Sequence, residues 1–356
     1  MKPAPVGARD PTNRPIVTFV TRDLDDRWND IGSVIDVNSV SDRVRNGIDV
    51  WIVQTYLELK ATQVEPSFSV EIARRFPTNQ PAIAHRDDLR AGATYYRSYL
   101  ANTRADRAPV LSAAWHIVQN PTQVDERSVL IPHWPQPGLI PRDSARQGIR
   151  TLGYFGRLGS IPGFFRDPAF IAELTLRGIG FNVSGQDWRN YSGIDVSVAL
   201  RFDPEIGSHS KPFSKLVNAW LARVPALLGS EPAYRWLRKN ELDYLEVHSA
   251  RDILAALDRL KKTPGLYQAM VENGAARARE FDREAVLHTW LRFMDEQFLP
   301  GWRVWNRHRQ GSARRLFDYG RALYIQRRQR NVYKRIEAAQ QAALQSGNIG
   351  ERMERD

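Results

Sequence analysis

Cysteine is absent from the 356 residues, which removes disulfides, thiolate zinc sites and cysteine nucleophiles from the available chemistry. No apolar run approaches the roughly 20 residues that a membrane-spanning helix needs. The opening segment, MKPAPVGARDPTNRP, lacks the apolar core of a signal peptide. No cluster of Asp and His has metal-ligand spacing, so no metal is expected. These absences lead to the expectation of a soluble protein with a cytoplasmic address. What is present is a globular composition, with 42% hydrophobic residues, 26% charged residues and ten tryptophans. A chain of this length is comfortable as two domains, each burying its own core.

Charge is unevenly placed. Residues 301–356 carry 13 Lys/Arg against 5 Asp/Glu, which leaves only +3 of the total +11 for the first 300 residues. A basic appendage on an ordinary enzyme-like body follows, and no nucleic-acid partner is expected for that body.

Short β-branched runs at Ile16–Thr21 (IVTFVT), Asp49–Gln54 (DVWIVQ), Ala82–Ala84 and Trp115–Gln119 (WHIVQ) read as buried strands. The intervening Ser33–Val44 and Ser67–Phe76 read as helices, giving the βαβ rhythm of a parallel sheet. Four prolines in Ile131–Asp143, IPHWPQPGLIPRD, interrupt that rhythm and predict a crossover with few contacts on either side. The rhythm restarts with TLGYFGR, a helix over Phe170–Arg177, the strand GFNVSG, a helix start near Asn190 and the strand IDVSVAL. It continues through VPALLG, LDYLEV, a helix over Ala250–Lys261 and long helices over Pro264–Phe298. The predicted fold class is α/β: two Rossmann-like doubly wound domains facing each other across a cleft. The expected division is 1–140, 141–300 and a basic helical extension over 301–356.

One stretch points to a ligand. In SHSKPFSKLVNAWLARVPALLGSEPAY, Pro212, Ser214 and Lys215 stand where a helix should begin, with Leu216, Ala219 and Trp220 on its buried face. Free amides and the positive end of the helix dipole favour an anion there, and Lys215 adds a full charge. A phosphate-bearing ligand is expected. The competing reading makes Ser214 a helix cap and leaves Lys211 and Lys215 solvated.

The run KPFSKLVNAWLARVPALLGSEPAY resembles the donor-nucleotide domain of bacterial GT-B glycosyltransferases, together with YSGIDVSVALR before it and DILAALDRLKK and YQAMVENGAARAREF after it. The resemblance is clearest over residues 150–300. It implies a transferase acting on a nucleotide diphosphate sugar, with no further cofactor, and a saccharide or lipid-linked acceptor of the kind used in surface polysaccharide synthesis. It places Ser214 and Lys215 on the diphosphate, Tyr191, Ser192 and Arg201 near the nucleoside, and Glu231 near the ribose or sugar; Lys211 is a further donor-binding candidate, and Arg157 of YFGR is one for the charge on the leaving phosphate. The sequence departs from the family pattern where two glutamates often stand, here Ser210 and Asn218, and at the turn glycine, here Arg223. For an inverting reaction Asp23, Asp25 and His116 are the candidate bases, against capping aspartates and a core histidine as rivals. A sugar-nucleotide epimerase and a non-catalytic nucleic-acid or anionic-surface binding protein are the alternatives. The proline-glycine step at Pro300 and Gly301 is expected to end a helix and turn the chain back toward the N-terminal domain. Residues 301–340 are the segment that would hold the protein peripherally at an anionic membrane surface.

Overall fold

The computed structural model describes residues 14–64, 66–89, 93–156, 161–185, 187–201, 208–307 and 313–329, and contains two separate parallel sheets. The first is built from β1 (Ile16–Val20), β2 (Ser69–Ala73), β3 (Pro81–His85), β4 (Tyr99–Thr103), β5 (Trp115–Val118) and β6 (Ser128–Leu130). Its order is β2-β1-β3-β4-β5-β6, and every pairing is parallel. The second comprises β7 (Thr151–Phe155), β8 (Gly180–Ser184), β9 (Val196–Ala199), β10 (Ala226–Leu228) and β11 (Leu245–Glu246), in the order β11-β10-β9-β7-β8, again all parallel. Both orders have the doubly wound form in which the first strand lies between the second and the third, so each sheet has one switch point, β1/β3 and β7/β9.

Two predicted elements exchange character. Asp49–Val53 is a π-helical turn leading into α1 (Gln54–Lys60), and the strand lies instead at Ser69–Ala73. Trp51 through Leu59 are all buried, so this helix has no polar face to betray its period, and Ile52 and Val53 imitate a strand. β2 is an edge strand, half-exposed and carrying Ser69 and Glu71, which blurs its alternation. Ser33–Val44 holds a short 3-10 segment, Val37–Arg43, in place of a full helix. No helix starts at Asn190. Its side chain accepts from the Ser192 amide and hydroxyl and closes a turn.

Ile131–Asp143 does connect the sheets, but it is held at both ends. Trp134 is buried and donates from Nε1 to Thr55 Oγ1 at 3.0 Å, while Arg142 pairs with the buried Asp195 at 2.9 Å. Backbone bonds add to these side chains, with the Ile140 amide donating to the Arg189 carbonyl and the Arg142 amide to the Ala222 carbonyl.

The second sheet is flanked by α2 (Pro168–Leu176), α3 (Ser214–Leu221), α4 (Pro232–Leu237), α5 (Ala250–Lys262) and α6 (Pro264–Ala278). The chain then changes direction at Phe281–Asp282, where Asp282 is extended and caps α7 (Arg283–Phe293) by accepting from the Ala285 amide. α7 passes through a π turn, Met294–Phe298, into α8 (Leu299–Arg307). Pro300 and Gly301 therefore do not end the helix, because the wider turn ahead of Pro300 absorbs its missing donor. Val286, Trp290, Phe293 and Phe298 join Phe19, Ile83 and Ile117 in one core, so these helices cover the first sheet. A last helix, 313–329, attaches through Arg315 to Asn79, Tyr319 to the Ala93 carbonyl and Gln326 to the Leu111 amide. Its Leu316, Phe317 and Tyr324 face solvent.

α3 ends at Ala222, and Arg223 follows with φ +59°, in the left-handed region that favours glycine. Arg223→Gly is expected to stabilise the fold by about 1 kcal/mol, less what the freer unfolded chain takes back. Urea unfolding is the check, and a lowered midpoint would mean that the arginine side chain contributes more than its backbone strain costs.

Candidate donor site at the second switch point

Carboxyl ends of strands at a switch point leave a crevice, because the crossovers depart to opposite faces. In the second sheet those ends carry Gly156 after β7 and Leu200 and Arg201 after β9. A cavity of about 110 Å³ lies there, lined by Tyr154, Gly156, Arg201, Lys215, Glu231 and Tyr234. Leu216, Ala219 and Trp220 bury one face of α3 and so fix the place of its first turn. That turn puts the Lys215 ammonium 4.5 Å from the centroid of the Tyr154 ring. Burial, reinforced by the neighbouring Arg201 charge, pulls the Lys215 pKa down to about 8.

Glu231 opens α4 and is almost fully buried. Its Oε1 is 3.6 Å from Arg201 Nε, and its Oε2 finds no hydrogen-bond partner among the described residues. Burial raises its pKa. Two glycines make room for these groups. A Cβ at Gly156 would stand 3.1 Å from the Tyr154 hydroxyl and 3.2 Å from Lys215 Nζ, and one at Gly229 would collide with Glu231 Oε2. With two cations against one carboxylate, an exposed helix end and a polar wall, the crevice suits an anion.

The residues expected from sequence divide three ways. Arg201, Lys215 and Glu231 meet in the cavity, and Ser214 is the first residue of α3 beside it. Phe213, not Ser214, holds the cap position, and no side-chain cap bond forms there. Tyr191 is elsewhere: it is buried and stacked on Phe155 at 3.9 Å, and burial raises its pKa far above the ordinary range. Ser192 sits in the turn that enters β9, remote in sequence from that strand's carboxyl end. Arg157 lies outside the described residues.

Lys211 reaches the first sheet and forms an ion pair with Asp106. Three consecutive carbonyls beside it, those of His209, Ser210 and Lys211, accept from Thr122 Oγ1, Gln119 Nε2 and Asn120 Nδ2. The carboxyl end of β5 thereby grips the segment that leads into α3. Asp106, Asn120 and Thr122 were not singled out by residue type, although Gln119 ends the WHIVQ run read as a strand.

On the first sheet, Asp25 caps the 3-10 turn Asp26–Trp28 and pairs with Arg27 at 2.7 Å, which keeps its pKa low and makes it a weak base. Asp23 is exposed just beyond β1, at the β1/β3 switch point. His116 lies inside β5 with Nδ1 2.6 Å from Asn102 Oδ1, and burial lowers its pKa to about 4. His85, which no motif singles out, ends β3 at the switch point. Its Nδ1 accepts from the Asp87 amide at 3.2 Å, and burial lowers its pKa to about 4. Among the described residues, no group of three or more acidic or histidine side chains could hold a metal ion, and no helix is long and apolar enough to cross a membrane.

Two doubly wound parallel sheets joined at the carboxyl edge of one of them form the GT-B arrangement. Solved structures to which the chain is similar are glycosyltransferases of that fold. The pneumococcal O-GlcNAc transferase GtfA, in complex with UDP and GlcNAc, is 14% identical with a TM-score of 0.46, over 62% of this chain and 57% of that one. Sucrose-phosphate synthase from Thermosynechococcus elongatus is 12% identical with a TM-score of 0.49, over 81% and 100%. HepE from Anabaena, in complex with UDP, is 12% identical with a TM-score of 0.45, over 79% and 100%. The chain thus spans little more than half of the first of these. No family model and no curated sequence matches it.

Proposed function

We propose that this chain is a glycosyltransferase that moves a sugar from a nucleoside diphosphate sugar to a saccharide or lipid-linked acceptor. The observation that carries the reading is Lys215, half-buried at the amino end of α3, over Tyr154 and beside Arg201, at the switch point of the second sheet. When the bond from the sugar to the diphosphate breaks, negative charge grows on the leaving phosphate. A preorganised ammonium, guanidinium and helix end hold that charge without rearranging. The cavity admits phosphate groups, and the nucleoside and sugar extend from it along the carboxyl edge. Glu231, with one oxygen unpartnered, is positioned to accept from a ribose or sugar hydroxyl. Asp23, exposed just beyond β1 at the switch point of the first sheet, is the acceptor-side carboxylate proposed to take a proton. An acceptor-dependent product separates this activity from an epimerase of the same fold.

A thermal-shift series with nucleoside diphosphates is the test. A diphosphate at a hundred times its Kd should stabilise the protein by about 2.7 kcal/mol. The gain should shrink as pH rises through about 8, because Lys215 there loses the proton that phosphate would otherwise retain. Melting temperatures that ignore every diphosphate would overturn the donor site.

Exposed Leu316, Phe317 and Tyr324 on the helix 313–329, flanked by Arg314, Arg321 and Arg328, support a second element of the proposal, attachment to an anionic membrane surface. Such attachment would hold the cleft near a lipid-linked acceptor. Vesicles containing anionic lipid should sediment the intact chain at low salt but not one ending at Gln310. If both forms stay in the supernatant, the membrane attachment is wrong.

A further inference from the structure

A cavity of about 520 Å³ lies at the opposite end of the first sheet. Its floor is the amino-terminal edge, where Tyr96 and Tyr99 lead into β4, Leu111–Ala114 leads into β5 and Arg127 precedes β6. Its roof is the C-terminal pair of helices, through Trp305 of α8 and Asp318 and Tyr319 of the helix 313–329. The carboxyl edge of this sheet grips the segment before α3, so the amino edge faces away from the donor crevice.

The roof is held open, not collapsed. Arg315 stacks 3.8 Å over the Trp305 ring and donates to Asn79 Oδ1 at 3.1 Å, and Tyr319 sets its ring edge-on to Tyr95 at 4.9 Å while donating to the Ala93 carbonyl at 2.7 Å. These contacts fix the helix at its two sides and leave the space between unfilled. The volume falls in the range of about 300–1,000 Å³ typical of small-molecule sites.

The chemistry of the lining selects among ligands. The rings of Tyr96 and Trp305 line the cavity, each also carrying an arginine, Arg97 at 5.4 Å and Arg315 at 3.8 Å, and Arg127 and Asp318 add a donor and an acceptor. An acyl chain would leave both charged side chains without use, and a phosphate would meet the Asp318 carboxylate. A neutral polyhydroxylated ring has apolar faces for the aromatics and hydroxyls that both donate and accept. We infer that this cavity is a second carbohydrate site, which binds a neutral oligosaccharide on the side of the molecule away from sugar transfer. It rests on the transferase reading only for its use, which is to retain a growing or polymeric acceptor between turnovers.

The test is a glycan array probed with the full chain, followed by calorimetry with the best neutral oligosaccharide, with and without UDP. Binding is expected, unaffected by saturating UDP, and weakened about tenfold in Tyr96→Ala and in Asp318→Ala. Tyr96 is half-buried and Asp318 exposed, so both variants should fold, and an unchanged UDP-induced thermal shift would confirm it. No neutral glycan bound, undiminished affinity in both variants, or competition by UDP would each overturn the site. If UDP binds while the array stays blank, the rear site falls and the donor site stands. If neither binds, both do.

Discussion

Lys215→Ala should lower sugar transfer by about a hundredfold or more, because it removes the ammonium of the cavity that the proposed reading sets against the leaving phosphates. Stability should hold or rise slightly. The ammonium's lowered pKa records that the folded protein disfavours its charge, so the fold gains nothing from keeping it. Lys215→Met is the sharper variant, since it keeps the stem over Tyr154 and deletes only the charge. UDP release from a nucleotide sugar measures the rate, and calorimetry with UDP measures binding. The loss should appear in both, since the phosphates are held in substrate and product alike. Unchanged turnover in Lys215→Met would leave α3 as an ordinary packed helix and remove the central support for the function.

Trp290→Ala should destabilise the first sheet by about 3–5 kcal/mol. Trp290 is completely buried on α7, its ring 6.4 Å from that of Phe19 in β1, far away in the chain. The cost combines lost apolar burial with a cavity that β1, β3 and the helix cannot collapse into, because each is held by its own backbone ladder. Trp290→Phe should cost much less, as it keeps most of the apolar volume. Urea unfolding followed by circular dichroism gives the difference. A loss below about 1 kcal/mol would show that α7 only rests on the sheet. The same packing implies that a chain stopped at Asp282 would expose Ile83 and Ile117 and aggregate, although both sheets would be complete in sequence.

Buried β-branched runs at β1, β5, β7 and β9 were legible in the sequence, and so was the start of α3, because in each case residues within a few positions of one another carry the signal: strand period, proline, apolar stripe. The left-handed turn at Arg223 was expected from the resemblance, as the place of the family's turn glycine. Arg201 and Glu231 were named from the family resemblance, and the structure sets them with Lys215 in one cavity. Where burial is total on all sides the local pattern vanishes, and the π turn Asp49–Val53 ahead of α1 passed for a strand while the half-exposed β2 passed for a helix. Tyr191 shows a related limit: an aromatic next to a polar turn suits a nucleoside or a core equally, and only the Phe155 ring against it decides. The grip of Gln119, Asn120 and Thr122 on three carbonyls some 90 residues away is equally invisible, since backbone acceptors have no sequence signature. Local order along the chain thus determined the elements and the donor corner. The return of α7 and α8, the clamp between the sheets and the rear cavity were decided by packing between distant segments, where the apolar area to be covered and the buried donors to be satisfied set the partners.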